Sequence, residues 1–559
     1  MSSLLKVIHN KDVYIMKNLT VSVWETAAAA PLLLLISVLS FGLLGLAFGI
    51  GLGVYTFILG LLFCLVPAYF CNKQFFKMLL ITFLMLAGWV IICGLIFDWS
   101  YDAMYFHKQA IIALKEGWNP FYEGSQEATV FASYPDMALW LDNYPNGSWI
   151  LSAVIYSITN RLETAKAVNL LYLMPVYALG VDVLQTVYGT GKAKSLLWAV
   201  LLIVNPVFVC QLFTSYNDLP VGAFMILTIL ACIKIVNEKA TFCTYFILFA
   251  ELAFACTVKF TAPILCALSA VPFGVYYAWK KRDTLKQLFR PVAVVLAGFI
   301  IGGFILGFHP YVTHIMEGKH VIYPVMGEGS YDIMNTNPPK GFEEKSNPEK
   351  LFISLFSKTN NNITDEPELK VPFCIYSSEW IHLSNADIRI GGFGVLFSGI
   401  LLMSIFIGII ALIDKRKIKA STILVLSLLF VLALFFPESW WARYSCFTYY
   451  LPVFCCFYAL DNNKMAIVVL RKAAYTLFLL NAALFLVCVL KTGIEVTAQL
   501  NHKLSEIKEQ DKKIIVRVND FPSHVKLFEE YGIDYEVSHT ALPEPEIFYR
   551  NTKYQFIKE

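Results

Sequence analysis

Charged residues are scarce in this chain. Of its 559 residues only 15% are Asp, Glu, Lys or Arg, while 57% are hydrophobic and the mean hydropathy is +0.61. A soluble globular protein carries about 25% charged residues, so this composition excludes that class. Apolar runs of about 17–24 residues recur along the chain, and this length suffices to cross the hydrocarbon core of a bilayer. The sequence therefore predicts an all-α polytopic membrane protein, and a net charge of +3 gives no indication of a nucleic-acid partner.

Two further patterns are missing from the sequence. Eleven of the 13 cysteines fall within apolar runs, where a free thiol behaves as a small hydrophobic side chain. We therefore expect neither a disulfide framework nor a CxxC metal site. The N-terminus has no short apolar core followed by a small-residue cleavage site. Residues 1–27 are accordingly interpreted as a retained cytoplasmic segment rather than a signal peptide.

Thirteen apolar runs are candidate membrane spans. They lie near residues 28–49, 51–70, 78–97, 164–187, 195–213, 218–236, 241–257, 260–279, 291–309, 393–413, 420–436, 444–460 and 473–491. Short basic loops mark the cytoplasmic side of a membrane, and such loops separate alternate runs, at 71–77, 190–194, 280–290 and 414–419. With the N-terminus inside, the pattern predicts about 13 transmembrane helices within a membrane domain of residues 28–491.

The remaining segments are assigned to the outer side. The apolar stretch 146–160 is too short to cross, and counting it as a span would put the basic loop 190–194 outside. It is therefore predicted to be a half-inserted or juxtamembrane helix. Two large extracytoplasmic loops result, residues 98–163 and 310–392. Residues 492–559 are more polar and have a strand–helix–strand pattern, which predicts a small extracytoplasmic α/β domain.

The stretch FDWSYDAMYFH, residues 97–107, concentrates titratable side chains just where a predicted span ends. On a helix, Asp98 and Asp102 are i,i+4 neighbours, and Asp102 and Tyr105 are i,i+3 neighbours. A carboxylate with restricted solvation can take a proton from a hydroxyl group. We predict Asp102 and Asp98 as catalytic residues, with His107 and Tyr105 binding substrate. The alternative is that the two acids only cap the span.

The stretch FFPESWWARYSCF, residues 435–447, places an arginine in a predicted outer loop. Interfacial anchoring explains its aromatic residues, but not a positive charge on this side of the membrane. Arginine is suited to holding a phosphate by two parallel hydrogen bonds. We expect Arg443 to bind a phosphate, with Glu438, Trp441 and Tyr444 as further substrate-binding residues.

Lys259 also lies on the predicted outer side, between two apolar runs. A lysine at the membrane edge indicates function by default, although it can also extend its amine to the interface. Asp218, in the tight outer turn SYNDLP, and His309, in the segment 308–324, complete the predicted substrate-binding residues. The three histidines of that segment are not spaced as in a compact zinc site. No cofactor is predicted, and a divalent metal has no support in the sequence.

The segment FDWSYDAMYFHKQAIIALKEGWNPFY, followed by YPNGSW, resembles the first outer loop of the GT-C superfamily of integral membrane glycosyltransferases. Many bacterial members have an aspartate soon after an early span, then an aromatic–His pair, G-x-N-P-[FY] and a Y-P motif. The later segments HPY…YP, RIGGFGVLF and WWARY are also similar, so the resemblance covers roughly residues 78–460. Phe106 stands where many relatives have tyrosine, and two extra N-terminal spans precede the motif.

The resemblance implies a fold of GT-C type and roles for individual residues. Asp102 would be the catalytic base and Asp98 its helper, while Lys259 and Arg443 would contact a lipid phosphate. The implied activity is an inverting transfer of a sugar from a polyprenyl-phosphate donor to a glycan or lipid acceptor of the cell envelope. The implied location is the extracytoplasmic face of a bacterial plasma membrane, in contact with membrane lipids.

A transporter, flippase or polymerase of lipid-linked saccharides is the alternative, because it also needs many spans and polar outer loops. Transporters more often place charges near the middle of the membrane and contain repeated halves. In this chain the charges of the predicted site residues cluster at one face of the membrane, and the sequence shows no internal repeat.

Overall fold

The computed structural model describes residues 21–71, 73–127, 135–284, 286–334, 336–413 and 419–557. Most of the predicted cytoplasmic segment and of the basic loop 414–419 lies outside the described residues. Within these ranges the first ten α-helices, labelled in chain order, are α1 Val23–Ala47, α2 Val54–Cys71, α3 Lys73–Gly94, α4 Lys108–Glu116, α5 Pro135–Leu141, α6 Gly147–Thr159, α7 Asn169–Thr186, α8 Lys192–Ala199, α9 Pro206–Gln211 and α10 Asp218–Val236.

The remaining described α-helices are α11 Phe242–Ala255, α12 Thr261–Lys280, α13 Lys286–Ile300, α14 Thr313–Met316, α15 Asn347–Phe356, α16 Phe397–Ile413, α17 Ala420–Phe435, α18 Tyr450–Tyr458, α19 Met465–Glu509 and α20 Val525–Tyr531. The strands are β1 Ile514–Arg517, β2 Tyr535–Val537, β3 Glu546–Tyr549 and β4 Thr552–Phe556. Segments with π-helical hydrogen bonding occur at Ala103–His107, Ile301–Leu306 and Phe308–Val312.

Seven helical segments among the described residues are long and apolar enough to cross a membrane. They are Val23–Ala47, Lys73–Gly94, Leu162–Thr186, Asp218–Val236, Thr261–Lys280, Lys286–Leu306 and Met465–Glu509. Shorter apolar helices include α2, α6, α11, α16 and α17. The mostly helical structure is therefore confirmed, and the seven candidate spans are compatible with an all-α membrane protein, whereas the number of 13 crossings stays a prediction. At 13 residues α6 is only about 20 Å long, shorter than the hydrocarbon core.

The structure differs from the predicted spans in two places. The apolar run 195–213 is divided between α8 and α9, because the Asn205 side chain caps a new helix that begins at Pro206. The last helix, α19, does not end with its apolar run at residue 491 but continues to Glu509. The predicted membrane and C-terminal domains are thus joined by one continuous helix.

Helix α10 lies at the centre of the bundle, and all of its residues are buried. Its first residue is Asp218 and its last turn contains Lys234, a charge order that suits the helix dipole. Lys234 forms buried ion pairs with Glu25 of α1 and Asp182 of α7. The 16 residues between Asp218 and Lys234 correspond to about 24 Å, so this ion-pair group lies at the opposite end of α10 from Asp218.

The predicted small C-terminal sheet is confirmed. Its strand order is β2-β1-β4-β3, with β1 parallel to β2 and antiparallel to β4. The C-terminal domain packs against the start of the predicted first outer loop: the Arg550 guanidinium donates to the Trp99 carbonyl oxygen at 2.7 Å, and the rings of Phe521 and Tyr101 meet edge to face. These contacts hold the segment that leads into the π-helix Ala103–His107.

Candidate active site

A cavity of about 800 Å³ opens among the first outer loop, the start of α10 and the segments around residues 259, 389 and 443. Eight of the eleven predicted site residues line it: Asp102, Tyr105, His107, Asp218, Lys259, Trp441, Arg443 and Tyr444. Asp98, Glu438 and His309 are not among its lining residues. Residues that are more than 300 positions apart in the sequence therefore share one site.

Arg443 lies at the centre of the charged part of this cavity. Its Nη1 is 3.0 Å from Asp102 Oδ2 and 3.4 Å from Asp387 Oδ1. Its Nε is 3.0 Å from Asp218 Oδ2, but the N–H does not point at that oxygen, so this contact is an ion pair without a hydrogen bond. The guanidinium also lies 4.9 Å from the ring centroid of Tyr216. One buried cation thus contacts three carboxylates from three parts of the chain.

Lys259 is the second cation of the cavity. Its Nζ lies 2.5 Å from Asp218 Oδ1 and 4.6 Å from the ring centroid of Tyr444. Burial lowers the pKa of Lys259, but Asp218 and the neighbouring tyrosines raise it by more, so the balance lies above the ordinary value. The amine is therefore a permanent positive charge, and Asp218 lies between the two cations, Lys259 and Arg443.

Asp387 and Arg389 join Asp102, Asp218, Lys259 and Arg443 in the charged wall of the cavity. The sequence analysis identified neither Asp387 nor Arg389 as a site residue. Arg389 donates from Nε at 3.0 Å and from Nη2 at 2.7 Å to Asp387 Oδ2, while Trp441 Nε1 donates to Asp387 Oδ1 at 2.9 Å. The described lining residues therefore include three basic side chains and three aspartates, a balanced set. The available sequence signal was Arg389, an isolated cation opening the RIGGFGVLF segment, with an acid two residues before it.

Asp102 is presented to the cavity by an irregular helix. It immediately precedes the π-helix Ala103–His107, and π-helical turns are frequent at functional sites. Its backbone N–H donates to the Tyr216 hydroxyl at 3.2 Å, and its side chain keeps 24% of its surface exposed. Burial raises the pKa of Asp102; Arg443 opposes this shift and Asp387 adds to it, with the result above the ordinary value. A carboxylate of this kind is a stronger base than a solvated aspartate.

His107 lines the cavity as a neutral ring. The Trp149 Nε1–H donates to His107 Nδ1 at 2.8 Å, which assigns the ring proton to Nε2. Burial, followed by the charge of Lys259, lowers the pKa of His107 to about 3. The histidine therefore keeps its remaining N–H on Nε2 and does not add a positive charge to the cavity.

The YPNGSW motif positions His107 and the turn that carries Lys259. Gly147 donates its backbone N–H to the Thr257 carbonyl oxygen at 2.8 Å, and a Cβ at this position would lie 2.2 Å from Thr257 Oγ1. Ser148 Oγ donates to Asn217 Oδ1 at 2.9 Å, next to Asp218. The start of α6 thus joins the segments that carry His107, Asp218 and Lys259.

Asp98 is fully buried beside the cavity. Its carboxylate accepts hydrogen bonds from the Ser100 backbone N–H at 3.1 Å, the Ser100 hydroxyl at 2.5 Å and the Ser215 backbone N–H at 2.8 Å. Beneath it, Glu163 pairs with Lys108 and Lys166 at 2.5 Å each. Asp98 therefore joins the end of the third helix to the turn that precedes Tyr216 and has no direct access to a substrate in the cavity.

The other two predicted residues, Glu438 and His309, contact residues of the segment 310–392. Glu438 pairs with Lys350 Nζ at 3.1 Å and accepts a hydrogen bond from the Trp440 indole. His309 is buried and its Nδ1 lies 3.1 Å from Thr313 Oγ1. Both contacts fix loop geometry away from the charged wall.

Among the described residues there is no group of three His, Cys, Asp or Glu side chains placed to hold a metal ion. The cavity carboxylates are paired with basic side chains instead. Comparisons of the chain with family models, with curated proteins and with solved structures give no match.

Proposed function

We propose that this protein is an inverting glycosyltransferase that moves a sugar from a polyprenyl-phosphate donor to a glycan or lipid acceptor of the cell envelope. The observation that carries the proposal is the contact of Arg443 with Asp102, Asp218 and Asp387 inside a cavity that also holds Lys259. A base and fixed cations within one cavity are what a hydroxyl acceptor and a phosphate leaving group require.

In the proposed reaction, Asp102 takes the proton of an acceptor hydroxyl group. The hydroxyl oxygen then attacks the anomeric carbon of the donor sugar from the face opposite the phosphate. The bond between that carbon and the phosphate oxygen breaks, and the oxygen keeps the electron pair. Arg443 and Lys259 stabilise the negative charge of the departing lipid phosphate. Because attack and departure occur on opposite faces, the anomeric configuration is inverted.

The ion pair between Arg443 and Asp102 has a consequence for this scheme. Arg443 is already occupied by carboxylates, and the cavity charges are balanced before substrate enters. A donor phosphate must therefore replace a carboxylate as the partner of Arg443. We propose that donor binding in this way releases Asp102 from its cation and so generates the free base.

The proposed orientation has the N-terminus inside, 13 crossings and the cavity on the extracytoplasmic face of a bacterial plasma membrane. The short basic loops on the side opposite the cavity support this orientation, because such loops mark the cytoplasmic side of a membrane. The position of Asp218 at one end of α10 and of the Lys234 ion pairs at the other supports a single working face.

A transporter or polymerase of lipid-linked saccharides is the second candidate. The observation that favours it is the ion-pair group Glu25–Lys234–Asp182, because buried charges within apolar helices are typical of transport proteins. Lys234 is, however, paired with both carboxylates, and the group lies near the ends of its helices. Its carboxylates also accept hydrogen bonds from Ser22, Thr241 and Thr244, which fits a structural role.

Mass spectrometry of envelope glycans distinguishes the two candidates. We would compare a strain that lacks the gene with strains complemented by the native chain, by Asp102→Asn and by Glu344→Gln, which changes an exposed acid of the second outer loop. The transferase proposal expects one sugar to be missing in the deletion and Asp102→Asn strains and restored by Glu344→Gln. Full restoration by Asp102→Asn would contradict it and favour transport.

A further inference from the structure

Residues 369–381 of the second outer loop, here called the anchor segment, expose an unusual number of large apolar side chains. Leu369, Val371, Phe373 and Ile375 alternate along the chain and point outward, and Trp380 and Ile381 follow them. Ile381 is 77% exposed and Val371 62%. A contiguous apolar surface of this kind indicates a partner that removes it from water.

The tip of the anchor segment has an aromatic residue where glycine is expected. The Cys374 backbone N–H donates to the Val371 carbonyl oxygen at 3.1 Å, which closes a turn with Pro372 and Phe373 at its centre. Phe373 has φ +68°, and a turn with proline second and a positive φ third normally has glycine or asparagine there. A bulky side chain held in this conformation indicates a function for the ring.

The ring of Phe373 packs on Gly399, in the first turn of α16. A Cβ added at Gly399 would lie 2.3 Å from Phe373 Cε1, so this close contact requires glycine. Exposed apolar residues continue along the same helix at Leu402, Phe406, Ile409 and Ile413. Spacings of three and four residues place Gly399 on the same helix face as these side chains. Since α16 is an apolar helix of a membrane protein, that face contacts lipid, and Phe373 covers its first turn.

The opposite side of the anchor segment is polar and fixed to the protein. Lys370 is buried, and its Nζ donates to Glu379 Oε1 at 2.6 Å and to the Val395 carbonyl oxygen at 2.8 Å. Glu379 also accepts the backbone N–H groups of Thr359 and Tyr376. The buried ion pair therefore directs the polar side chains inward and the apolar ones outward.

We propose that the anchor segment inserts into the lipid leaflet on the cavity side of the membrane, where acyl chains cover its apolar side chains. The continuity of Phe373 with the lipid-facing side of α16 favours lipid over a protein partner. Tryptophan is enriched at the membrane interface, and Trp380 occupies that level. Asp387, which lines the cavity, lies six residues after the end of the anchor segment. Insertion of the segment therefore holds this wall of the cavity against the membrane surface. The inference depends on the membrane location of the chain and not on the proposed reaction.

Fluorescence quenching of a label on Cys374 tests this inference. Cys374 is exposed, whereas the other described cysteines are buried or half-buried, and Cys374→Ser gives the background signal. The full-length protein would be labelled with an environment-sensitive fluorophore in phosphatidylcholine nanodiscs and exposed to nitroxide on the acyl chains or to iodide in water. The matched control is Asn362→Cys in the Cys374→Ser background, an exposed polar position of the same loop.

We expect acyl-chain nitroxide to quench the label at residue 374 and iodide to quench the label at residue 362. Phe373→Gly relieves the turn and removes the ring, so it should decrease nitroxide quenching at residue 374. Quenching of the 374 label by iodide alone would overturn the proposal, and protection from both quenchers would assign the surface to a protein contact instead. Because sugar transfer has no part in the measurement, failure here leaves the proposed reaction to its own test.

Discussion

Arg443 Nη1 lies 3.0 Å from Asp102 Oδ2, so the residue proposed to bind the donor phosphate and the proposed base are paired with each other. If donor phosphate competes with Asp102 for this guanidinium, removing the carboxylate charge should strengthen donor binding. We predict that Asp102→Asn binds a polyprenyl phosphate in nanodiscs at least as tightly as the native chain. Titration of both proteins with the lipid measures this, and clearly weaker binding by the variant would rule out the exchange.

Arg443→Lys keeps the charge but removes the planar, two-pronged donor geometry. We predict a decrease in transfer rate on the order of 10²-fold, the usual effect of losing one preorganised donor at a developing charge. Initial rates of sugar transfer by purified protein measure it. Arg282→Lys, the same change at an exposed position distant from the cavity, should keep the native rate. An unchanged rate in Arg443→Lys would leave Arg443 a purely structural cation.

The pH dependence of kcat/KM reports the protonation of Asp102. A general base acts only when unprotonated, so activity is present above its pKa and is lost as the pH falls through it. Because burial raises the pKa of Asp102, the loss should occur above the ordinary aspartate value of 3.8. Asp387 contributes to this rise, so Asp387→Asn should shift the acidic limb to lower pH. A shift to higher pH would show that another group controls the limb.

Cysteine accessibility tests the proposed orientation. Lys192 begins α8 in a basic loop predicted to be cytoplasmic, and Asn362 lies in the second outer loop; both side chains are exposed. Both substitutions are made in a Cys374→Ser background, because Cys374 is an exposed native cysteine in the same loop as Asn362. In intact cells, a membrane-impermeant thiol reagent should label Asn362→Cys, whereas Lys192→Cys should require permeabilised membranes. Labelling of both positions from outside would disprove the predicted alternation of loops.

Most of the charged wall could be predicted from the sequence, because its members contrast with their surroundings. Lys259 and Arg443 are cations on a side that should lack them, and Asp102 is an acid at the end of an apolar run. Asp387 has no such contrast: it lies in a long loop of mixed charge, and its role depends on contacts with Trp441 and Arg443, more than 50 residues away. Tertiary contacts of this kind leave no local pattern.

The predicted helix bounds failed for a different reason: they were set by apolar length, and local helix signals were left out. Hydropathy joined residues 195–213 into one span although Asn205-Pro206 is a helix-starting pair that divides it. At the other end, the apolar run stops near residue 491, but α19 continues to Glu509, and good helix formers predominate from residue 498 onward. Apolar length predicts where a chain enters lipid and not where its helices begin and end.

The central claim is that Asp102, and not Asp98, is the base, and paired activity and stability measurements on the two asparagine variants test it most directly. Losing a general base typically costs about 10²–10⁴-fold in rate, so Asp102→Asn should be nearly inactive with an unchanged melting temperature. Asp98→Asn removes a buried hydrogen-bond acceptor, so it should melt earlier yet retain more activity per folded molecule. An active Asp102→Asn beside a folded but inactive Asp98→Asn would contradict the assignment.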